Sequence, residues 1–175
     1  MKTTVTIIVI SVLIGLFYFK SKKFGFEYKY VIKAEASEIW NEVELSLTDS
    51  LKSRIWPNKL EVLKASEFTE GQIVDSVMYI QDKEYPVQFK ITEIITGEKV
   101  SFEPLDKNFQ GRDSITVKAL DDGKVELIWA GKYSVESVTL GTLFFKYYYL
   151  SKFYDEFYQN ISAHWTVEEG SKKVY

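Results

Sequence analysis

The chain has 175 residues, 46% hydrophobic and 16% aromatic, with 22 basic and 25 acidic side chains and no cysteine. That size suits one ordinary domain with an appendage, and the lack of cysteine excludes disulfides, thiolate metal sites and thiol nucleophiles. Four of the basic residues, Lys2, Lys20, Lys22 and Lys23, precede every acidic one, so the chain beyond Lys23 is acidic overall; nucleic-acid binding, which demands clustered positive charge, is not expected.

Thr3 to Phe19 is a run without a charge, closed by Lys20-Ser21-Lys22-Lys23. As a helix it reaches about 25 Å, at the short edge of a membrane span of about 30 Å. A cleavable signal peptide would end in small residues. This run ends in Leu16-Phe17-Tyr18-Phe19 before the lysines, so an uncleaved transmembrane helix is the expectation. The lysines after the span place the C-terminal domain in the cytoplasm of a single-pass membrane protein.

Phe24 to Ala34 alternates, with Phe26, Tyr28, Tyr30 and Ile32 on one face, and reads as a strand with one buried side. Ala36 to Leu47 changes period, setting Ile39, Trp40, Val43 and Leu47 at helical spacing. A second short helix is expected from about Thr48 to Ile55, stopped by Trp56-Pro57. Six strands then follow with short turns: Leu60 to Phe68, Gln72 to Gln81, Glu84 to Ile95, Val100 to Leu105, Arg112 to Leu120 and Lys124 to Val135. Asp121-Asp122-Gly123 is a strong hairpin signal, and the short connections imply a mostly antiparallel sheet. Gly131 is expected to mark a bend or bulge that lets the sheet curl.

Leu140 to Trp165 carries ten aromatic residues without a proline, and Leu143, Tyr147, Leu150, Tyr154, Phe157, Ile161 and Trp165 recur at steps of three and four. One long helix is predicted there. Its broad aromatic face needs an equally broad partner, which the inner face of the sheet supplies.

This order resembles the START-like, helix-grip superfamily called SRPBCC, which includes polyketide cyclases/dehydrases and lipid-transfer domains. The resemblance rests on Val31-Ile32-Lys33-Ala34 leading to Ala36-Ser37-Glu38-Ile39-Trp40, on Trp56-Pro57, and on Tyr85-Pro86-Val87-Gln88-Phe89-Lys90-Ile91. Val125-Glu126-Leu127-Ile128-Trp129 and Leu140-Gly141-Thr142-Leu143-Phe144-Phe145 are similar to the last strand and the start of the gripping helix. It implies an α+β helix-grip fold: a curved antiparallel seven-stranded sheet wrapped around a long C-terminal helix, with two short helices after the first strand. The expected division is residues 1–23 as anchor and basic junction, 24–166 as the helix-grip domain and 167–175 as a C-terminal tail.

No Gly-x-Ser-x-Gly, P-loop, dinucleotide fingerprint or zinc-ligand spacing is present, and no catalytic residue, metal or cofactor is expected. His164 is read as a helix-end residue favourable against the dipole. Glu93 falls on the Tyr85-to-Ile91 face and is read as a solvated strand-end carboxylate in preference to a buried general base. Arg112 with Asp113, at a strand entrance, is read as a surface ion pair in preference to a cavity mouth. The expected function is a membrane-tethered binding domain for a hydrophobic small molecule or lipid. The expected cavity lining is Phe26, Tyr28, Tyr30, Phe89, Phe102, Trp129, Gly131, Tyr133, Tyr147, Leu150 and Tyr154, with a few tyrosine hydroxyls orienting the ligand. Two alternatives remain: a polyketide cyclase/dehydrase-like enzyme, which needs a titratable group deep in the cavity, and a protein-interaction module with a filled core.

Overall fold

The structure, a computed structural model, describes residues 22–58, 60–63, 67–80, 83–107, 109–139, 142–143 and 145–175, apart from the side chains of Ile80, Phe145 and Tyr147. The membrane segment expected at Thr3 to Phe19 lies outside them. Among the described residues no helix is long and apolar enough to cross a membrane.

Alternation sets β1 (Lys23–Lys33). Phe24, Phe26, Tyr28, Tyr30 and Ile32 are buried on one face, as period-two packing demands. Helix α1 (Ala36–Thr48) follows, burying Ile39, Trp40, Val43 and Leu47. The second helix expected up to Ile55 is only one 3-10 turn, Ser50–Lys52. Glu42 turns the chain there: its buried carboxylate accepts from the Arg54 backbone N–H at 2.6 Å and from Arg54 Nε at 2.7 Å.

The remaining strands are β2 (Leu60–Val62), β3 (Ile73–Ile80), β4 (Lys83–Ile95), β5 (Lys99–Pro104), β6 (Phe109–Leu120), β7 (Lys124–Val135) and β8 (Thr166–Val174). They form one sheet with β1 in the order β2-β3-β4-β5-β6-β7-β1-β8, and every pairing is antiparallel. At the β6–β7 hairpin, Asp122 and Gly123 both take positive φ, 62° and 67°, the conformation that glycine and short polar residues tolerate best.

The sheet has eight strands, not seven. The segment expected as a loose tail is β8, a strand with both faces mostly exposed. Its polar sequence hides it from pattern reading, because its role is carried by backbone. Strand β1 is buried along most of its length, and its outer edge needs a partner for its N–H and C=O groups. Strand β8 supplies one, in register from Phe26↔Val174 to Lys33↔Thr166 with a bulge between Val31 and Ile32. Lys172, Lys173, Glu168 and Glu169 then keep the new edge charged.

The gripping helix is not regular throughout. Its regular part, α2, spans Leu150–His164, and a π-helical stretch, Phe145–Tyr149, precedes it. Leu150, Phe153, Phe157 and Ile161 form its buried face. Three contacts fix it to the sheet and the α1 region. Tyr28 donates to the Leu150 carbonyl at 2.5 Å, Tyr149 donates to the Tyr79 carbonyl at 3.2 Å, and Asn160 donates to the Trp56 carbonyl at 2.7 Å. Trp165 leaves the helix in an extended conformation. Its indole donates to Glu38 at 3.1 Å, and the Arg54 guanidinium lies 4.4 Å from the ring centroid.

Candidate functional site: a cavity under the gripping helix

Between the inner face of the sheet and the N-terminal half of α2 lies a cavity of about 580 Å³. Its walls are mostly apolar, with a large aromatic share. Phe26 and Tyr28 come from β1, Phe89 from β4, Phe102 from β5, Trp129 and Tyr133 from β7, and Leu150 and Phe153 from α2. Leu60, Leu63, Met78, Leu105, Asp106 and Phe109 extend the lining, with Leu63 and Leu105 exposed.

Of the expected lining residues, Phe26, Tyr28, Phe89, Phe102, Trp129, Tyr133 and Leu150 surround the cavity. Tyr30 and Tyr154 do not. Tyr30 is fully buried at the other end of the grip, stacked on Tyr154 at 5.9 Å and tilted against Phe157 at 5.6 Å. Tyr154 takes the Lys172 ammonium over its outer ring face at 4.9 Å. The Tyr147 side chain lies outside the described part of the structure.

Gly131 makes no bulge. The pairing runs unbroken through Gly131 to Phe26 on one side and to Asp113 on the other. A Cβ there would run into the Asp113 carboxylate and the Phe26 ring, so this glycine makes room for two neighbours on the inner face. The bulges fall elsewhere, at Val31/Ile32 and at Ile91/Glu93.

The second of these bulges decides the fate of Glu93. It shifts the alternation so that Ile94 packs on the core and Glu93 pairs with Lys99 at 2.8 Å and Ser101 at 3.0 Å. Those hydrogen bonds, Lys99 first, hold its carboxyl below the ordinary glutamate value. It is the wrong acid for proton transfer at neutral pH. His164 is exposed at the end of α2 beside Trp165. Among the described residues no His, Asp and Glu cluster is arranged to hold a metal ion.

Asp113 is the functional group that sequence reasoning missed. The surface ion pair expected with Arg112 does not form: Arg112 reaches outward to Glu103 at 3.1 Å, while Asp113 points inward and is 7% exposed. Tyr133 donates its hydroxyl to Asp113 Oδ2. The Trp129 indole N–H approaches the carboxylate and helps to hold its charge without completing a hydrogen bond of normal geometry, so Nε1 and Asp113 Oδ1 are both buried without a hydrogen-bond partner. Desolvation outweighs both donors and pushes the Asp113 carboxyl up to about 7. The signal was available in the alternation of β6, where Asp113 shares its face with Ile115 and Val117.

The two tyrosine hydroxyls of the cavity lining are already engaged. Tyr28 serves the Leu150 carbonyl and Tyr133 serves Asp113; burial raises the pKa of both phenols. The polar atoms left unpaired in the cavity lining are Asp113 Oδ1, Trp129 Nε1 and Ser76 Oγ.

No protein-family model matches the sequence, and no curated protein matches it. Solved structures do match in fold. Norcoclaurine synthase from Thalictrum flavum, in complex with dopamine and hydroxybenzaldehyde, aligns at 14% identity over 81% of this chain and 88% of that one, with a TM-score of 0.54. The major latex-like protein 151 from Panax ginseng aligns at 13% identity over 82% and 97%, with a TM-score of 0.56. A Staphylococcus aureus protein of unknown function, SA2116, aligns at 11% identity over 81% and 94%, with a TM-score of 0.57. The domain therefore has the helix-grip fold that these proteins share. At these identities the likeness is one of fold.

Proposed function

We propose that the domain binds a hydrophobic small molecule or lipid non-covalently in the cavity under α2. The observation that carries this reading is the cavity itself. About 580 Å³ walled by Phe26, Tyr28, Phe89, Phe102, Trp129 and Leu150 falls within the range typical of small-molecule sites, roughly 300–1,000 Å³. Apolar burial at about 25 cal/mol/Å² supplies the drive. Native mass spectrometry of the full chain, released from detergent after purification from cells, tests it. A mass excess that disappears on mild activation is the expected result. A bare chain that also takes up no hydrophobic probe would instead favour the interaction-module reading.

A second reading, an enzyme of the polyketide cyclase/dehydrase type, draws on Asp113. A carboxyl poised near 7 in a largely apolar site suits general acid–base work. Recovery of a chemically altered ligand from wild type but not from Asp113→Asn would support it; recovery of unaltered ligand from both leaves the binding reading.

The tether is a proposal of its own, motivated by the uncharged Thr3-to-Phe19 run and its lysine exit. Full-length protein should fractionate with membranes and resist alkaline extraction. A soluble form beginning near Ser21 would identify a cleaved signal instead. A protease confined to the outside of sealed cells should spare the domain.

A further inference from the structure

We infer that the ligand presents an organic cation, a protonated alkyl- or arylalkyl-amine, to Asp113 Oδ1, with its apolar body along the aromatic walls; this rests on the cavity being a ligand site. Three observations converge on it. First, Asp113 is a buried residue of the cavity lining; its Oδ1 has no hydrogen-bond partner, while Oδ2 is occupied by Tyr133. A carboxylate oxygen only accepts hydrogen bonds, and leaving one unpaired away from water is costly. Second, among the described lining residues there is no lysine, arginine or histidine. An anionic head, such as that of a fatty acid, would meet the Asp113 carboxylate and no cation among the described lining residues. Third, the surroundings of the carboxylate are aromatic. Phe26 lies 5.7 Å from Trp129 and 6.3 Å from Tyr133, centroid to centroid, and Phe102 pairs directly across from Asp113. Ring faces beside an acid suit an ammonium, which gains cation–π attraction as well as a charge-assisted hydrogen bond.

The pH dependence follows in sign. The titratable groups that face Asp113 are Tyr133 from β7 and Tyr28 from β1, both with phenols held neutral by burial. Exposed Asp106 lies elsewhere in the lining, and α2 contributes only Leu150 and Phe153 to it. An ammonium selects the ionised carboxylate. With the free group poised near 7, the competent fraction rises roughly tenfold between pH 6 and pH 8, while an alkylammonium stays charged across that range.

The test is calorimetric titration of the full chain in nanodiscs with three probes that share one ring system: 1-naphthalenemethylamine, 1-naphthalenemethanol and 1-naphthoic acid. Wild type should bind the amine at least about tenfold more tightly than the alcohol, with the acid weakest and amine affinity rising from pH 6 to pH 8. Asp113→Asn should abolish the amine preference while still binding the alcohol, and Tyr133→Phe should keep the preference. Alcohol bound as well as amine by wild type sinks the amine assignment and leaves the cavity reading standing. A preference that survives in Asp113→Asn, or naphthoate bound best, also overturns it. If no probe binds at all, both readings fall. The wild-type pH series needs no variant, so misfolding of Asp113→Asn would not rescue the proposal.

Discussion

Tyr30 and Tyr133 are both inward tyrosines of one curved sheet, yet they stand at opposite ends of the grip. Around Tyr30 the space is full: Tyr154, Phe157 and Tyr158 all lie within 6 Å, centroid to centroid. Around Tyr133 the wall is hollow, and its hydroxyl is spent on a carboxylate. Trp129 divides the two ends. Trp56 stacks on it at 5.0 Å and 18°, and Phe157 meets it edge-on at 5.3 Å, but it also faces the cavity. The regular turns of α2 cover the full end, whereas the hollow end lies under its first turns, next to the π-helical stretch. Helix and sheet are clamped where side chains interlock and stand apart where they do not. Close packing belongs to one end and open space to the other.

The largest expected effect is at the full end. Phe157→Ala removes a ring with no exposure and should cost about 3–5 kcal/mol in denaturant unfolding. Phe89→Ala at the hollow end removes the same ring from a wall that already borders empty space, so its cost should be clearly smaller. Equal costs would mean that the two ends are packed alike and would break the distinction.

Next in size is the pH dependence set by Asp113. Its folded-state carboxyl sits near 7, above its ordinary value of 3.8. A raised acid stabilises the fold at low pH relative to high: the contribution is complete below about 4 and lost as pH rises toward 7. The loss is on the order of 4 kcal/mol. Other groups titrate in the same window, including Glu93 with the opposite sign, so the quantity to measure is the stability difference between Asp113→Asn and wild type. It should move in favour of the variant between pH 4 and pH 7. A flat difference would mean that Asp113 titrates as an ordinary surface acid.

Gly131→Ala comes third. The added Cβ would press on the Asp113 carboxylate and the Phe26 ring, and such overpacking should cost about 1–3 kcal/mol. It should also lower the Asp113-dependent pH effect, because the carboxylate must shift. A neutral substitution, judged by thermal unfolding at pH 7, would show that the inner face has slack at this point.

Sequence pattern made the β order, the inner aromatic faces and the gripping helix legible, because each expresses a period that burial enforces. Three features were not. Strand β8 is specified by the backbone needs of β1, and TVEEGSKKV carries no apolar period. The bulge at Ile91/Glu93 breaks the alternation without a glycine or proline to announce it. Which aromatic residues pack and which line space depends on how α2 seats on the sheet, a distance that no one-dimensional pattern carries. Asp113 was a different case. Its face was readable from Ile115 and Val117, and an expectation that charges stay outside overrode the period.

The smallest expected effect concerns Glu93, and it sharpens the contrast between two carboxylates on β4 and β6, the strands that flank β5. Glu93 is partly exposed and hydrogen-bonded to Lys99 and Ser101; Asp113 is enclosed by aromatic rings and has no cationic partner among the described residues. An exposed ion pair gains little, because water screens it and two side chains must be ordered to form it. Glu93→Gln also keeps the side chain's shape and one hydrogen-bond acceptor, so Ser101 retains a partner. The variant should therefore unfold at the wild-type temperature and keep the wild-type ranking of the three naphthalene probes at every pH. If amine binding instead fell as far in Glu93→Gln as in Asp113→Asn, the charge recognised by the ligand would be a diffuse field of the sheet. The buried acid beside Tyr133 would then lose its special claim.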